Sequence, residues 1–467
     1  MSNVHPRGRQ RSALVVLISA QFVVMLDTAV VNVALPSIQS DLGLTQAGLA
    51  WVVNAYFLTF GGFLLLSGRA ADLFGGRRVF MFGAALFTVT TVIAGLAPNE
   101  AVLIGARAAQ GLGAAILSPA AMSIILTTYT GTDRAKAMGA WGAASTADGA
   151  IGVAAGGLIT GAFGWPWVFF VTVPITAAAF ALAPVLFELV TKQNRARFDF
   201  IGAAAVTGAA LSLIFAILSV AERGWASLEA IGGLVLGVVL LAVFVFVERT
   251  AADPIVPLAL FRDRLVSVGV TLGVLGGAAR VSTFFLSALF LQQVLLLEPG
   301  VAGFAMVPTS VAGFVVSLLW LPAIIRRFGA ERTLTIGLAL LAVGHLWIAR
   351  SPDVPNYVVD VLPALLVSAA GVALSFTPST MVIASGIPPT KSGLASGLAN
   401  ASSQIGGAFG IASFSAVAVV SAAAGLRAGY FAAAIVAAVA ATLAMLGLPR
   451  AAGSRRGISP PPTGDRP

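Results

Sequence analysis

Apolar runs of about twenty residues, each ended by a charge or a turn cluster, follow one another along the chain from residue 13 onward. An α-helix rises about 1.5 Å per residue, so roughly 20 apolar residues cross a hydrocarbon core of about 30 Å. Runs read between charges and turn residues fall near 13–35, 49–67, 79–97, 101–127, 138–160, 167–187 and 199–220. The rest fall near 229–248, 266–294, 301–322, 333–349, 356–382, 394–422 and 428–448. This pattern predicts an all-α integral membrane protein with 14 transmembrane helices. The first run follows Arg7, Arg9 and Arg11, the layout of a signal peptide, but it continues to about Leu35 and more runs follow. It therefore reads as an uncleaved first helix.

Lysine and arginine collect on the cytoplasmic side of membrane proteins. With a cytoplasmic N-terminus, that side receives Arg7, Arg9, Arg11, Arg69, Arg77, Arg78, Arg134, Lys136, Lys192, Arg195 and Arg197. It also receives Arg249, Arg262, Arg264, Arg326, Arg327, Arg332, Lys391, Arg450, Arg455, Arg456 and Arg466, which makes 22 of the 27 basic residues. Only Arg223, Arg350 and Arg427 fall outside, and Arg107 and Arg280 fall within runs. A wrong helix count would scramble this alternation. The expectation is a multi-pass protein of the cell inner membrane with both termini cytoplasmic, a short tail at 1–12 and a disordered tail at 449–467.

Composition agrees, because 58% of the residues are hydrophobic and only 10% are charged. The net charge of +9 is accounted for by the cytoplasmic bias and calls for no nucleic acid. Without cysteine there is no disulfide or thiolate metal site, and His5 and His345 have no second ligand near them in sequence. Gly111-Leu112-Gly113 follows no strand, and no nucleotide-binding loop occurs, so neither a cofactor nor an enzyme is expected.

The chain also repeats itself at a nearly constant offset. Ser118-Pro119-Ala120-Ala121-Met122 resembles Thr377-Pro378-Ser379-Thr380-Met381, Gly149-Ala150-Ile151-Gly152 resembles Gly407-Ala408-Phe409-Gly410, and Phe74-Gly75 matches Phe328-Gly329. Two six-helix halves, 13–187 and 266–448, would then flank two inserted helices within 188–265. Parallel repeats of this kind are a transporter design, with substrate bound near the midplane between the halves.

The motifs resemble the major facilitator superfamily, in particular its fourteen-helix drug:proton antiporter branch. Residues 26–36, Leu-Asp-Thr-Ala-Val-Val-Asn-Val-Ala-Leu-Pro, are similar to that branch's first-helix motif, and residues 68–78, Gly-Arg-Ala-Ala-Asp-Leu-Phe-Gly-Gly-Arg-Arg, to the superfamily's loop 2–3 motif. Residues 107–115 look like the fourth-helix motif, and Gly393-Leu394-Ala395-Ser396-Gly397 with Gln404-Ile405-Gly406-Gly407 like the thirteenth-helix pattern. Asp253-Pro254-Ile255-Val256-Pro257 resembles the link after helix eight. The chain departs from the branch where Val153 follows Gly152, where Pro166 stands between Trp165 and Trp167, and where Thr172 precedes Val173-Pro174. The resemblance implies a major facilitator fold and proton-coupled efflux of drugs, antibiotics or natural products by alternating access. Its partners would be the small-molecule substrate, protons and membrane lipids, and a monomer is expected.

An ionised side chain at the bilayer centre costs about 2.5–3.5 kcal/mol on insertion scales and so faces a cavity or a partner. Asp27 lies mid-run, and a carboxylate there that gains and loses a proton can link proton entry to substrate exit. Its alternative is a fixed acid bonded to Thr28 or Asn32. Arg107 lies roughly 10 Å into the fourth run, at a depth that Asp27 can share. The resemblance makes it the residue that tunes the carboxylate, while the alternative is helix–helix glue. Asp148 and Arg280 are mid-run opposite charges, either one salt bridge closing the halves or separate contacts to a charged substrate. Asn54, Gln110, Gln292, Asn400 and Gln404 complete the expected substrate cavity, and Trp51, Tyr56, Phe284 and Phe285 are aromatic candidates.

Gly68, Asp72, Gly75, Arg77 and Arg78 form an expected conformational latch. Asp72 would sit at the positive end of the third helix, with Arg77 and Arg78 binding headgroups or Asp72. Efflux competes with two other readings: a facilitator or importer of a metabolite such as an organic anion, and a membrane enzyme or receptor, for which no catalytic constellation is present.

Overall fold

The computed structural model describes residues 7–44, 46–145, 148–188, 199–251, 254, 256–418 and 422–448. The elements among them are helical: α1 (Arg7–Leu42), α2 (Gln46–Phe74), α3 (Gly76–Gly95), α4 (Glu100–Thr128), α5 (Gly131–Ala144), α6 (Asp148–Phe163), α7 (Pro166–Phe170) and α8 (Val173–Leu186). They continue with α9 (Phe200–Arg223), α10 (Leu228–Thr250), α11 (Arg264–Gln293), α12 (Pro299–Val315), α13 (Leu321–Ala349), α14 (Leu362–Ser385), α15 (Ser392–Ala418) and α16 (Ala422–Gly447). Short polar residues set several starts by satisfying first-turn N–H groups. Asn99 accepts from Val102 N, Asp199 from Gly202 N and Asp263 from Leu265 N.

Eleven helical segments among the described residues are long and apolar enough to cross a membrane. One of them, Val301–Ala349, is 49 residues long and contains Gly329 at φ +81°, where the helical path breaks. The run expected at 138–160 is two helices, with α5 stopping at Ala144 and α6 starting at Asp148. The run expected at 167–187 is divided between α7 and α8 around Thr172, whose hydroxyl turns back to Phe169 O at 2.8 Å. The twelfth run opens with a π-helical turn at Tyr357–Val361. The tail 449–467, the linker arginines Arg195 and Arg197 and the side chain of Asp148 lie outside the described residues.

Lipid is as apolar as leucine, so helices in a bilayer are held by close packing of small residues rather than by expulsion from water. Helix α4 is buried over most of its length and packs against α1, α2, α3 and α15. A side chain at Gly113 would strike the backbone of Phe87 on α3, and one at Gly371 on α14 would strike that of Leu341 on α13. The helices α1–α8 and α11–α16 form two groups joined chiefly by α2 with α15, α4 with α15, α5 with α13 and α14, and α6 with α12.

The hairpin of α9 and α10 lies on the flank of this seam. α9 packs on α2 of the first group and α15 of the second, and α10 packs behind α9. Ile214 and Leu211 sit over Gly61 and Gly62, and Trp51 stacks on Phe215 with ring centres 6.3 Å apart. Leu234, Val235, Leu236, Val238 and Val239 of α10 are exposed, as a lipid-facing surface requires. Polar scanning of 201–219 and 231–247 should therefore lower expression while leaving the range of compounds the protein handles unchanged. A change of range at normal expression would place the hairpin in the binding site.

Candidate functional site

Asp27 of α1 and Arg107 of α4 meet in the middle of the first helix group, each 1% exposed. The carboxylate Oδ2 lies 2.5 Å from Arg107 Nη1. Arg107 Nε donates to the Val52 carbonyl of α2 at 3.1 Å, and Nη1 also donates to Gln110 Oε1 at 2.6 Å. Gln110 Nε2 donates to Asp27 Oδ1 at 2.8 Å and to Thr91 Oγ1 of α3 at 2.8 Å. The Tyr56 ring lies 4.4 Å below the guanidinium carbon, and the Tyr56 hydroxyl donates to Val24 O. Four helices thus converge on one charge pair sealed from water, where a positioned cation over an aromatic face is worth about 2 kcal/mol or more.

The geometry brings together what equal depth suggested for Asp27 and Arg107. It also places Gln110 and Tyr56 beside that pair. Gln110 is fully buried as the bridge between Asp27 and α3. Tyr56 serves as the platform under Arg107. Thr28 turns to Met25 O at 2.7 Å, so it supplies no fixed bond to Asp27. A polar extension escaped the sequence reading. Gln21 of α1, 3% exposed, accepts from Ser118 of α4 at 2.9 Å and donates to Ser145 beyond α5 at 3.1 Å. Its signal was a second polar side chain in the first run, less than two turns from Asp27.

Arg280 stands in the second group, 5% exposed, with Nη2 donating to Ser403 Oγ of α15 at 3.0 Å. Asn400, half-buried on α15, donates to Ser396 O at 3.0 Å, and Gln404 and Asn54 are half-buried. Gln292 lies apart, exposed in the last turn of α11, and by helical rise roughly 18 Å along the axis from Arg280. His345 is a buried core residue, with Nε2 and Thr283 Oγ1 2.9 Å apart and the Tyr430 ring packed beside it.

Of the residues expected to form a latch, Gly68 and Asp72 lie where the two groups meet, at one end of the bundle. Asp72 lies in the last turn of α2. Its carboxylate accepts from Gly393 N and Leu394 N, each at 2.7 Å, and so caps α15 across the seam. Beside it Ser123 and Ser392 hydroxyls are 2.7 Å apart, and the Gly68 backbone passes Gly393 so closely that a side chain at either would collide. Gly75 takes φ +88°, open to glycine, to turn the chain from α2 into α3. Arg77 donates to Phe187 O at 3.3 Å, and Arg78 is exposed. A cavity of about 460 Å³ opens here, lined among others by Arg9, Asp72, Arg77 and Tyr129. Burial pushes the Tyr129 phenol up to about 12, so it keeps the proton that it donates to Gln10 O at 2.6 Å.

Gly152, next to the departure from the family pattern at 153, faces α1. A side chain at Gly152 would strike Ala29 of α1, so α6 and α1 touch closely without a proline. Trp165 donates from Nε1 to Asp41 Oδ2 at 2.7 Å, which anchors the turn before α7 to the end of α1.

The family model described as Major Facilitator Superfamily matches residues 17–411. The chain is 39% identical over 406 residues to the cephamycin export protein CmcT of Amycolatopsis lactamdurans, which covers 86% of this chain and 83% of that protein. It is 35% identical over 411 residues to the puromycin resistance protein pur8 of Streptomyces alboniger, covering 87% and 81%. Among solved structures, the human organic anion transporter MFSD10 (TETRAN) superposes with a TM-score of 0.68 at 15% identity, covering 94% of this chain and 100% of that one, which shows the shared fold. A buried charge pair between helices, a seam between two helix groups and matches of this extent lead to one conclusion: the chain belongs to the Major Facilitator Superfamily, a family of membrane transporters rather than enzymes.

Proposed function

We propose that this protein is a proton-coupled exporter of small molecules that works by alternating access. The observation that carries the reading is the buried Asp27–Arg107–Gln110 cluster, a titratable acid held where only a conformational change or a proton can alter its state. The relatives support export as the direction, since they are named for cephamycin export and puromycin resistance. Asp27 and Arg107 are the coupling pair. Asn54, Asp148, Arg280, Asn400 and Gln404 belong to the substrate path, with Gln110 assigned to the coupling cluster. Gly68, Asp72, Gly75, Arg77 and Arg78 form the latch.

The fold reading behind this has 14 spans. The 49-residue segment Val301–Ala349 is roughly 70 Å of helix and supplies two spans. The pair α5 with α6 supplies another, and α15 the last. The two six-helix halves are 13–187 and 266–448, with 188–265 inserted between them. Gly75 and Gly329, at matching places in the repeat, share a positive φ, and Pro119 and Pro378 both lie inside helices. The latch end carries the basic residues and is taken as cytoplasmic, with both chain termini. At the other end Arg223 pairs with Glu229 and Arg427 with Asp353, each at 2.8 Å. The protein acts as a monomer in the cell membrane.

Reconstituted into proteoliposomes, the protein should move puromycin against its gradient when an imposed pH difference drives protons the other way. Flux that ignores the pH difference would replace antiport with facilitated diffusion.

A further inference from the structure

Three arginines are buried among the described residues, Arg69, Arg107 and Arg280, and the two that lie mid-helix, Arg107 and Arg280, are satisfied to very different degrees. Arg107 has a carboxylate, an amide, a backbone carbonyl and an aromatic face. Arg280 has the Ser403 hydroxyl and the Phe376 ring of α14, 5.6 Å from its guanidinium carbon, while its Nη1 reaches no acceptor among the described residues. A lone guanidinium away from water is costly and ordinarily finds a counter-charge. A side chain added at Gly276 would stand 2.8 Å from Nη1, so glycine there lets the guanidinium lie back along α11. Phe376 also packs against the core of the first helix group, which puts Arg280 at the seam between the halves.

We propose that Arg280 is the anchor for the carboxylate of a monoanionic substrate with a flat apolar body, an inference that rests on the efflux reading above. The free Nη1 edge donates to one carboxylate oxygen. Ser403 accepts from Nη2 and keeps its own hydroxyl hydrogen to donate to the second oxygen. The Phe376 face takes the apolar body. A single positive charge is balanced by a single negative one, so a carboxylate fits, whereas a phosphate dianion would leave a net charge buried. An ammonium group is repelled from this position.

The test uses the full-length protein in proteoliposomes under an imposed pH difference, with a cephamycin, which carries a carboxylate, and its carboxyl methyl ester as probes. The wild type should transport the acid at least tenfold better than the ester by kcat/KM. Arg280→Gln should bring the acid-to-ester ratio near one, and Arg280→Lys, a charge without the planar fork, should restore part of it. A wild-type ratio of one or less, with puromycin still driven by the pH difference, would overturn the carboxylate site and leave the efflux reading standing. No driven flux of any of the three compounds would overturn the efflux reading and this inference with it. Recovery of the acid preference by adding Asp148→Asn to Arg280→Gln would also overturn it, because the two residues would then be an internal salt bridge. Should Arg280→Gln fail to accumulate, the wild-type ratio decides alone.

Discussion

Asp27→Asn should reduce uphill, proton-driven export to background while substrate exchange down its gradient persists. Asparagine keeps the shape and still offers an oxygen to Arg107, but it neither ionises nor takes up a proton. The arginine then lacks its counter-charge. Breaking a buried pair from one side costs about 3–5 kcal/mol, and the remaining bonds to Val52 and Gln110 and the Tyr56 face hold the loss near the lower end. A lowered melting temperature in detergent with normal membrane insertion is the expected signature. Adding Arg107→Gln should return most of the stability without returning the coupling, since the buried charge goes but the proton site does not come back. Normal uphill export by Asp27→Asn would remove the residue from the mechanism.

Asp72→Asn should shift the resting conformation by weakening the only capping of α15 that crosses the seam through a carboxylate among the described contacts. Hydrogen bonds to a charged group are worth about 1.5–3 kcal/mol each, and the asparagine retains one acceptor, so a loss of about 2 kcal/mol is expected. At 1.36 kcal/mol per tenfold, the closed form at this end falls roughly thirtyfold relative to the open one. The chain has no cysteine, so Ser123→Cys with Ser392→Cys gives a background-free reporter across the seam, where the native hydroxyls are 2.7 Å apart. Cross-linking should be rapid in the otherwise native protein and at least tenfold slower with Asp72→Asn, and transport should fall in parallel. Unchanged cross-linking would mean that Asp72 does not hold this end closed.

What the sequence made legible follows from physics that acts locally. Hydropathy and helical rise are enough to find the apolar runs, and the cost of a buried charge is enough to single out Asp27 and Arg107. Partner choice across helices is a different matter. Asp72 sits four residues before α3 in sequence, so its dipole was the natural guess, yet the carboxylate reaches an N-terminus more than 300 residues away. Gln110 looked like a cavity residue because a polar side chain in an apolar run usually faces water or substrate. Only the packing of α4 between α1 and α3 reveals that Asp27 and Thr91 use up its donors. The breaks inside the fifth and sixth runs were invisible to hydropathy, since a kinked apolar run and a straight one have the same composition.

On the proposed coupling, the position of Asp27 also bears on which part of the proton-motive force would do the work. Its partner Arg107 lies seven residues into α4 from Glu100, roughly 10 Å by helical rise, against a hydrocarbon core of about 30 Å. With the Glu100 end outward, a proton arriving from outside would cross about a third of the insulating layer to reach the carboxylate, and the remaining two thirds on leaving inward. Moving one charge across the full layer yields about 2.3 kcal/mol per 100 mV. The electrical component would then act mainly on the inward release of the proton, and the chemical gradient mainly on its capture. Clamping the voltage at fixed pH should therefore change the maximal rate of export more than the apparent affinity for external protons.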